Sequence, residues 1–193
     1  MSPALILIYV GGGFRMMAGN VLVSYLSYFY TLYFPEKESY YALNESLAIF
    51  IGGFGAQLWG AFVCQYYWPG LSVPILQCSV GGVFAAAVFY MEDFDTSILF
   101  LWLMWATADG WTPGVLATLN QILPPGPVRN TAVGMFFSLS NFIGVADVQL
   151  VANLEGVFDF KRLMIVFVSG AYWLAGLTWL GAMLIPVARC KQK

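Results

Sequence analysis

Residues 71–91 read LSVPILQCSVGGVFAAAVFYM, residues 92–95 read EDFD, and residues 96–122 read TSILFLWLMWATADGWTPGVLATLNQI. This stretch decides the fold. Each flanking run supplies the roughly 20 apolar residues that a helix needs to cross a hydrocarbon core. A barrel strand needs only about 9–11 residues and alternates in polarity, whereas these runs are longer and continuous. The acids between them, Glu92, Asp93 and Asp95, belong at a membrane surface. The pattern predicts two neighbouring transmembrane helices joined by an acidic turn.

The same pattern extends in both directions. Apolar runs occupy 4–34, 42–67, 131–154 and 161–187 as well. They are separated by Pro35-Glu36-Lys37-Glu38, Trp68-Pro69-Gly70, Pro124-Pro125-Gly126-Pro127, and Glu155-Gly156 with Asp159. The expected fold is an all-α integral membrane protein, one domain over 1–193 with six transmembrane helices.

Composition agrees. Of 193 residues, 60% are hydrophobic and 9% charged, with a mean hydropathy of +0.76. A soluble domain carries about 25% charged residues, so this chain is built for lipid. It has no His, which removes the usual general base and metal ligand. Cys64, Cys78 and Cys190 are odd in number and form no CxxC, so no disulfide framework or metal cluster is indicated. A net charge of −2 without a basic stripe argues against nucleic acid. Gly11-Gly12-Gly13 lacks the spacing and the Lys of a phosphate loop. Nothing positions a nucleophile or a base. The expectation is a non-enzyme without metal or cofactor.

Charge sets the predicted sidedness. With six spans, Arg129, Arg189, Lys191 and Lys193 fall on one face, without an acid. Glu36, Glu38, Glu92, Asp93, Asp95, Glu155 and Asp159 fall on the other, with Lys37, Lys161 and Arg162. Basic residues are retained on the cytoplasmic or matrix-like side, so both termini are expected there. No signal peptide or Arg/Ser-rich presequence is visible. The sequon at Asn44 lies at the mouth of a span and is expected to stay unglycosylated. Tyr25, Tyr28, Tyr30, Tyr33, Tyr40, Tyr41, Tyr66, Tyr67 and Trp68 are expected in an interfacial aromatic belt.

Small residues recur at four-residue spacing: Gly52, Ala56 and Gly60; Gly81 with Ala85; Gly82 with Ala86; Gly110 with Gly114. Such stripes let backbones approach where lipid offers no hydrophobic drive, either inside the bundle or between chains. Gly110, Pro113 and Gly114 also weaken the fourth span, as a simple kink or as the broken helix of a transport site. Arg15, Asp109 and Asp147 are the ionisable residues at membrane depth. Each costs about 2.5–3.5 kcal/mol at a helix centre, so each needs a partner or water. Two readings stand: a solute or proton site, or an ion pair of Arg15 with Asp109 or Asp147 that pins helices together.

Three stretches taken together resemble the C-terminal half of a major facilitator superfamily transporter. The first is Gly52-Gly-Phe-Gly-Ala-Gln-Leu-Trp-Gly60 leading to Cys64-Gln65-Tyr66-Tyr67, similar to the superfamily's motif between the second and third helices of each half. The second is Pro124-Pro125-Gly126-Pro127-Val128-Arg129, similar to the turn between the fourth and fifth helices. The third is Phe14-Arg15-Met16-Met17-Ala18-Gly19, similar to an opening helix. Gln65 stands where the motif carries an acid, and the turn from Tyr66 to Gly70 is uncharged. The resemblance implies a six-helix half-bundle whose cavity face needs a cover. The expected role is a non-catalytic accessory subunit of a larger membrane assembly, surrounded by lipid and other membrane subunits. A mitochondrial inner membrane is the compartment attached to that reading. The alternative is a half of a solute transporter, working as a homodimer or with a separate N-terminal half.

Overall fold

The structure is a computed structural model that describes residues 2–68 and 70–186. Its described residues form helices and no strand: α1 (Pro3–Tyr33), α2 (Pro35–Tyr66), α3 (Ser72–Tyr90), α4 (Phe94–Ala108), α5 (Trp111–Ile122), α6 (Pro127–Leu154) and α7 (Phe160–Leu184). The basic cluster Arg189, Lys191 and Lys193, with Cys190, lies outside the described residues. Among those described, α1, α2, α3, α6 and α7 are each long and apolar enough to cross a membrane. The chain is an integral membrane protein.

The fourth predicted crossing is not one helix. It divides into α4, of 15 residues, and α5, of 12, with Asp109 and Gly110 between them. The cause lies four residues further on. Pro113 has no N–H to give to the carbonyl of Asp109, and its ring clashes with that carbonyl in a continuous helix. Within α5, Pro113 occupies the first turn, where a missing N–H is harmless. The break therefore falls N-terminal to the proline rather than on it.

Two boundaries also differ from the hydropathy reading. The segment Pro35-Glu36-Lys37-Glu38 is the opening of α2 and not a loop, because proline suits the first helical position. Glu36 and Glu38 then sit near the positive end of the helix dipole. Likewise α6 begins at Pro127, four residues before the apolar run. Gly126 precedes it at φ +107°, a left-handed conformation open to glycine at little steric cost. Single π turns interrupt α2 at Ala48–Gly53 and α7 at Ile165–Ser169.

Helix α1 is the hub, packed along α6 and α7, while α3 fills the space between α4 and α7. Small residues permit these approaches. A Cβ on Gly81 would collide with Ala108, one on Gly82 would lie 2.6 Å from Trp173 Nε1, and one on Gly52 would lie 3.1 Å from the Ala106 nitrogen. Gly12 of α1 meets Phe136 of α6. Contact at this range is what holds helices together in lipid, where burial adds no hydrophobic gain. One aromatic expectation fails. Tyr30 and Tyr41 are buried and stacked with centroids 4.3 Å apart, so they belong to the core and not to an interfacial belt. Tyr66, Tyr67 and Trp68 remain exposed.

Candidate functional site: the break between α4 and α5

A helix that stops inside a membrane leaves carbonyls without partners, and hydrocarbon supplies none. Here three side chains from two other helices take them up. Trp59 of α2 donates its indole N–H to the Ala106 carbonyl at 3.1 Å. Gln57, also of α2, donates its amide to the Asp109 carbonyl. Arg15 of α1 donates Nη2 to the Ala108 carbonyl at 3.2 Å. A cation at this point also faces the negative end of the α4 dipole.

The same Nη2 of Arg15 lies 3.2 Å from Asp109 Oδ1, the ion pair found among the described residues. Arg15 is buried, with a side chain 4% exposed, whereas that of Asp109 is 32% exposed. The guanidinium also faces two aromatic rings, Tyr172 at 4.8 Å and Trp111 at 5.6 Å. Trp111 in turn stacks on Trp179, whose indole N–H donates to the Ile8 carbonyl at 3.2 Å. The arginine is thus held by a carboxylate, a helix end and two π faces. Glycines border the pair on both sides: a Cβ on Gly19 would come within 3.2 Å of Arg15 Nη1, and one on Gly53 within 3.2 Å of Asp109 Oδ2.

The break is wedged closely from behind. Gly60 of α2 packs on the Gly110 carbonyl, which lies 2.5 Å from where a Cβ on Gly60 would stand. The Ala56 carbonyl is pressed against Gly110 in the same way. Gly114 meets Pro74 of α3 and the Gly70 carbonyl. Gln77 of α3 sits between Gly60 and Gly110, 1% exposed, with neither side-chain polar atom hydrogen-bonded.

Asp147 is not part of this group. It lies on the buried stripe of α6 with Phe136, Ser140, Gly144 and Val151. It is 3% exposed, and neither carboxylate oxygen has a partner. The pairing of Arg15 with Asp147, one of the two expected from sequence, is therefore not the one formed. Gly144, one turn before it, packs on Asn20 and the Met16 carbonyl of α1.

The other residues singled out by the sequence occupy turns and helix ends. Arg129 donates to the Leu123 carbonyl at 2.8 Å and so closes the end of α5. Gln65 is exposed at the end of α2. Asn44 uses its side chain inside the protein, donating to the Tyr40 carbonyl at 2.8 Å and accepting from Trp102 at 3.2 Å. A reading confined to ionisable residues misses Gln57, Gln77, Trp111 and Tyr172. The two glutamines carry a usable signal, since each is a polar residue inside an otherwise apolar run. The aromatic pair carries none, because Trp and Tyr are common throughout this chain.

Comparison with known proteins identifies the architecture. No family model matches the chain, and no curated protein matches it. The chain superimposes on a crystal structure of a bacterial homologue of the human lysosomal transporter Spinster, in an inward-facing and unoccupied conformation, with a TM-score of 0.66. Identity is 14%, and the match covers 94% of this chain and 49% of that one. The chain shares the fold of that transporter along 94% of its own length and spans about half the length of the transporter chain it matches.

Proposed function

We propose that this chain is the C-terminal six-helix half of a solute carrier and works against a second six-helix half. In this reading α4 and α5 together make the sixth crossing, and the chain's two ends face the same side of the membrane. The observation that carries it is the Arg15–Asp109 pair at the broken helix. A purely structural pair gains from being sealed, because buried ions are stabilised only when fully satisfied. This pair instead leaves one side of Asp109 partly open beside Gly53. A charged solute can exchange with one member of such a pair and shift the break between two arrangements. Broken helices near the midplane are suited to that role.

Two faces support the need for a second half. Helices α2 and α6 are the least enclosed of the long helices, with 33% and 28% of their apolar windows buried against 50% for the others. Phe50 and Phe54 on α2, and Phe142 and Val145 on α6, stand out from the bundle.

The accessory-subunit reading rests on a different observation. The turn after α2, from Tyr66 to Gly70, carries exposed aromatics and no charge, and Gln65 there is neutral. A face of that kind suits permanent docking to another membrane subunit.

One experiment separates the two. The native mass of the protein in mild detergent is measured alongside solute uptake, for the unaltered chain and for Asp109→Asn. A carrier migrates with one six-helix partner or a second copy, and D109N abolishes uptake while the assembly keeps its mass. Migration with several unrelated subunits, and no uptake in either form, overturns the carrier reading.

A further inference from the structure

We propose that the crevice along α7, flanked by α1 at one end and by the end of α6 at the other, is a binding site for one phosphate-bearing lipid, with a single acyl chain in the crevice and the headgroup on Arg162. Two apolar cavities lie along this face of α7. One, of about 470 Å³, is bounded by Phe14 and Met17 of α1 and by Val166, Phe167, Gly170 and Leu177 of α7. The other, of about 230 Å³, lies between Leu154 at the end of α6, Phe158 in the following turn and Arg162 of α7, and shares Val166 and Phe167 with the first. The shared residues belong to the π turn Ile165–Ser169. Gly170 forms the floor just beyond it, with no atom within 4 Å of where its Cβ would stand. We take the two cavities, adjoining at the widened turn and the missing side chain, as one crevice. Single π turns of this kind are frequent at functional sites.

Length and charge choose the occupant. Residues 162–177 of a helix rise about 22 Å. One leaflet of hydrocarbon is about 15 Å deep, half of a typical core, so a complete acyl chain fits the crevice end to end. A soluble ligand would meet no polar group along that length, since the lining is apolar from Leu163 to Leu177. A polar headgroup is needed at one end only, and that end carries Arg162. Asp159 is the nearest acid in sequence, and it is occupied as the cap of α7, accepting the Arg162 backbone N–H at 3.1 Å. Among the described residues no carboxylate lies within ion-pair distance of the Arg162 guanidinium. Lys161 is turned onto the Tyr33 ring at 4.6 Å, and Glu155 lies at the end of α6. Arg162 is left to bind a phosphate, whose oxygens match its planar donors.

The proposal holds whether or not the chain carries a solute. The test is native mass spectrometry of the detergent-solubilised, delipidated protein with palmitoyl-oleoyl phosphatidylglycerol or with the diacylglycerol of the same chains. Phosphatidylglycerol is expected to bind about fivefold more than diacylglycerol, a preference of about 1 kcal/mol. R162Q brings the two to parity. G170L lowers the occupancy of both lipids, and V166W, at an exposed position on the crevice wall, does the same without touching the core. The melting temperature of each variant is measured to show that it remains folded. Equal binding of the two lipids by the unaltered protein overturns the proposal. So does unchanged binding in V166W, or displacement of the lipid by millimolar inorganic phosphate, which would make the ligand a free anion.

Discussion

Asp109 and Asp147 are both acids at membrane depth, yet their surroundings are opposite. Asp109 stands at a helix break, paired with Arg15, beside a backbone whose free carbonyls draw donors from α1 and α2. Asp147 stands in the middle of an unbroken helix, against α1, with no donor in reach of either oxygen. The difference lies in the backbone. A broken helix collects cations and amide donors because its own carbonyls need them, and an acid placed there shares those donors. The intact α6 has its carbonyls paired within the helix, and the donors that reach it, Tyr25 on the Val148 carbonyl and Tyr9 on the Ala132 carbonyl, go to backbone and leave its acid alone. Ser140, on the same α6 stripe, is likewise buried without a partner.

That contrast can be broken most severely at Arg15. R15M removes the charge on which Asp109 and the Ala108 carbonyl both depend, and is expected to cost about 3–5 kcal/mol of stability. The measurement is thermal unfolding in detergent. Adding D109N to it should recover part of the loss, with a coupling energy of about 0.5–3 kcal/mol. Additive effects would mean that the two side chains do not act as a pair.

The wedge behind the break comes next in size. A side chain on Gly60 meets the Gly110 carbonyl, whereas Gly134 on α6 has open space around it. G60V is expected to destabilise by about 1–3 kcal/mol through overpacking, and G134A by much less. Equal melting temperatures would show that α2 does not brace the break.

At Asp147 the expected sign reverses. D147N removes no ion pair and relieves an unpaired buried acid, so the protein should melt at the same temperature or higher. A loss comparable to that of R15M would reveal a partner for Asp147. The smallest effect belongs to the surface. Thr96 donates its hydroxyl and backbone N–H to the Asp93 carboxylate at the start of α4, holding it below its ordinary 3.8. An acid with a lowered value stabilises the fold above its unfolded-state value and loses that contribution as pH falls through the folded one. The melting temperature should therefore fall slightly below about pH 3.8, and T96V should flatten that slope.

Hydropathy alone made the membrane class and the approximate runs legible, because lipid demands long apolar helices and tolerates charge only at their ends. It also marked Arg15, Asp109 and Asp147 as residues needing an explanation, since charge at that depth is costly in any fold. The weakened stretch from Gly110 to Gly114 was visible for the same kind of reason, the chemistry of proline and glycine being local. Which acid pairs with Arg15 was not legible. That depends on how α1 faces α4, and helical periodicity says nothing of which faces meet. The three donors that satisfy the break and the burial of Tyr30 on Tyr41 were decided by tertiary contact alone. Sequence records what each segment cannot leave unsatisfied, and only the packed bundle determines which neighbour satisfies it.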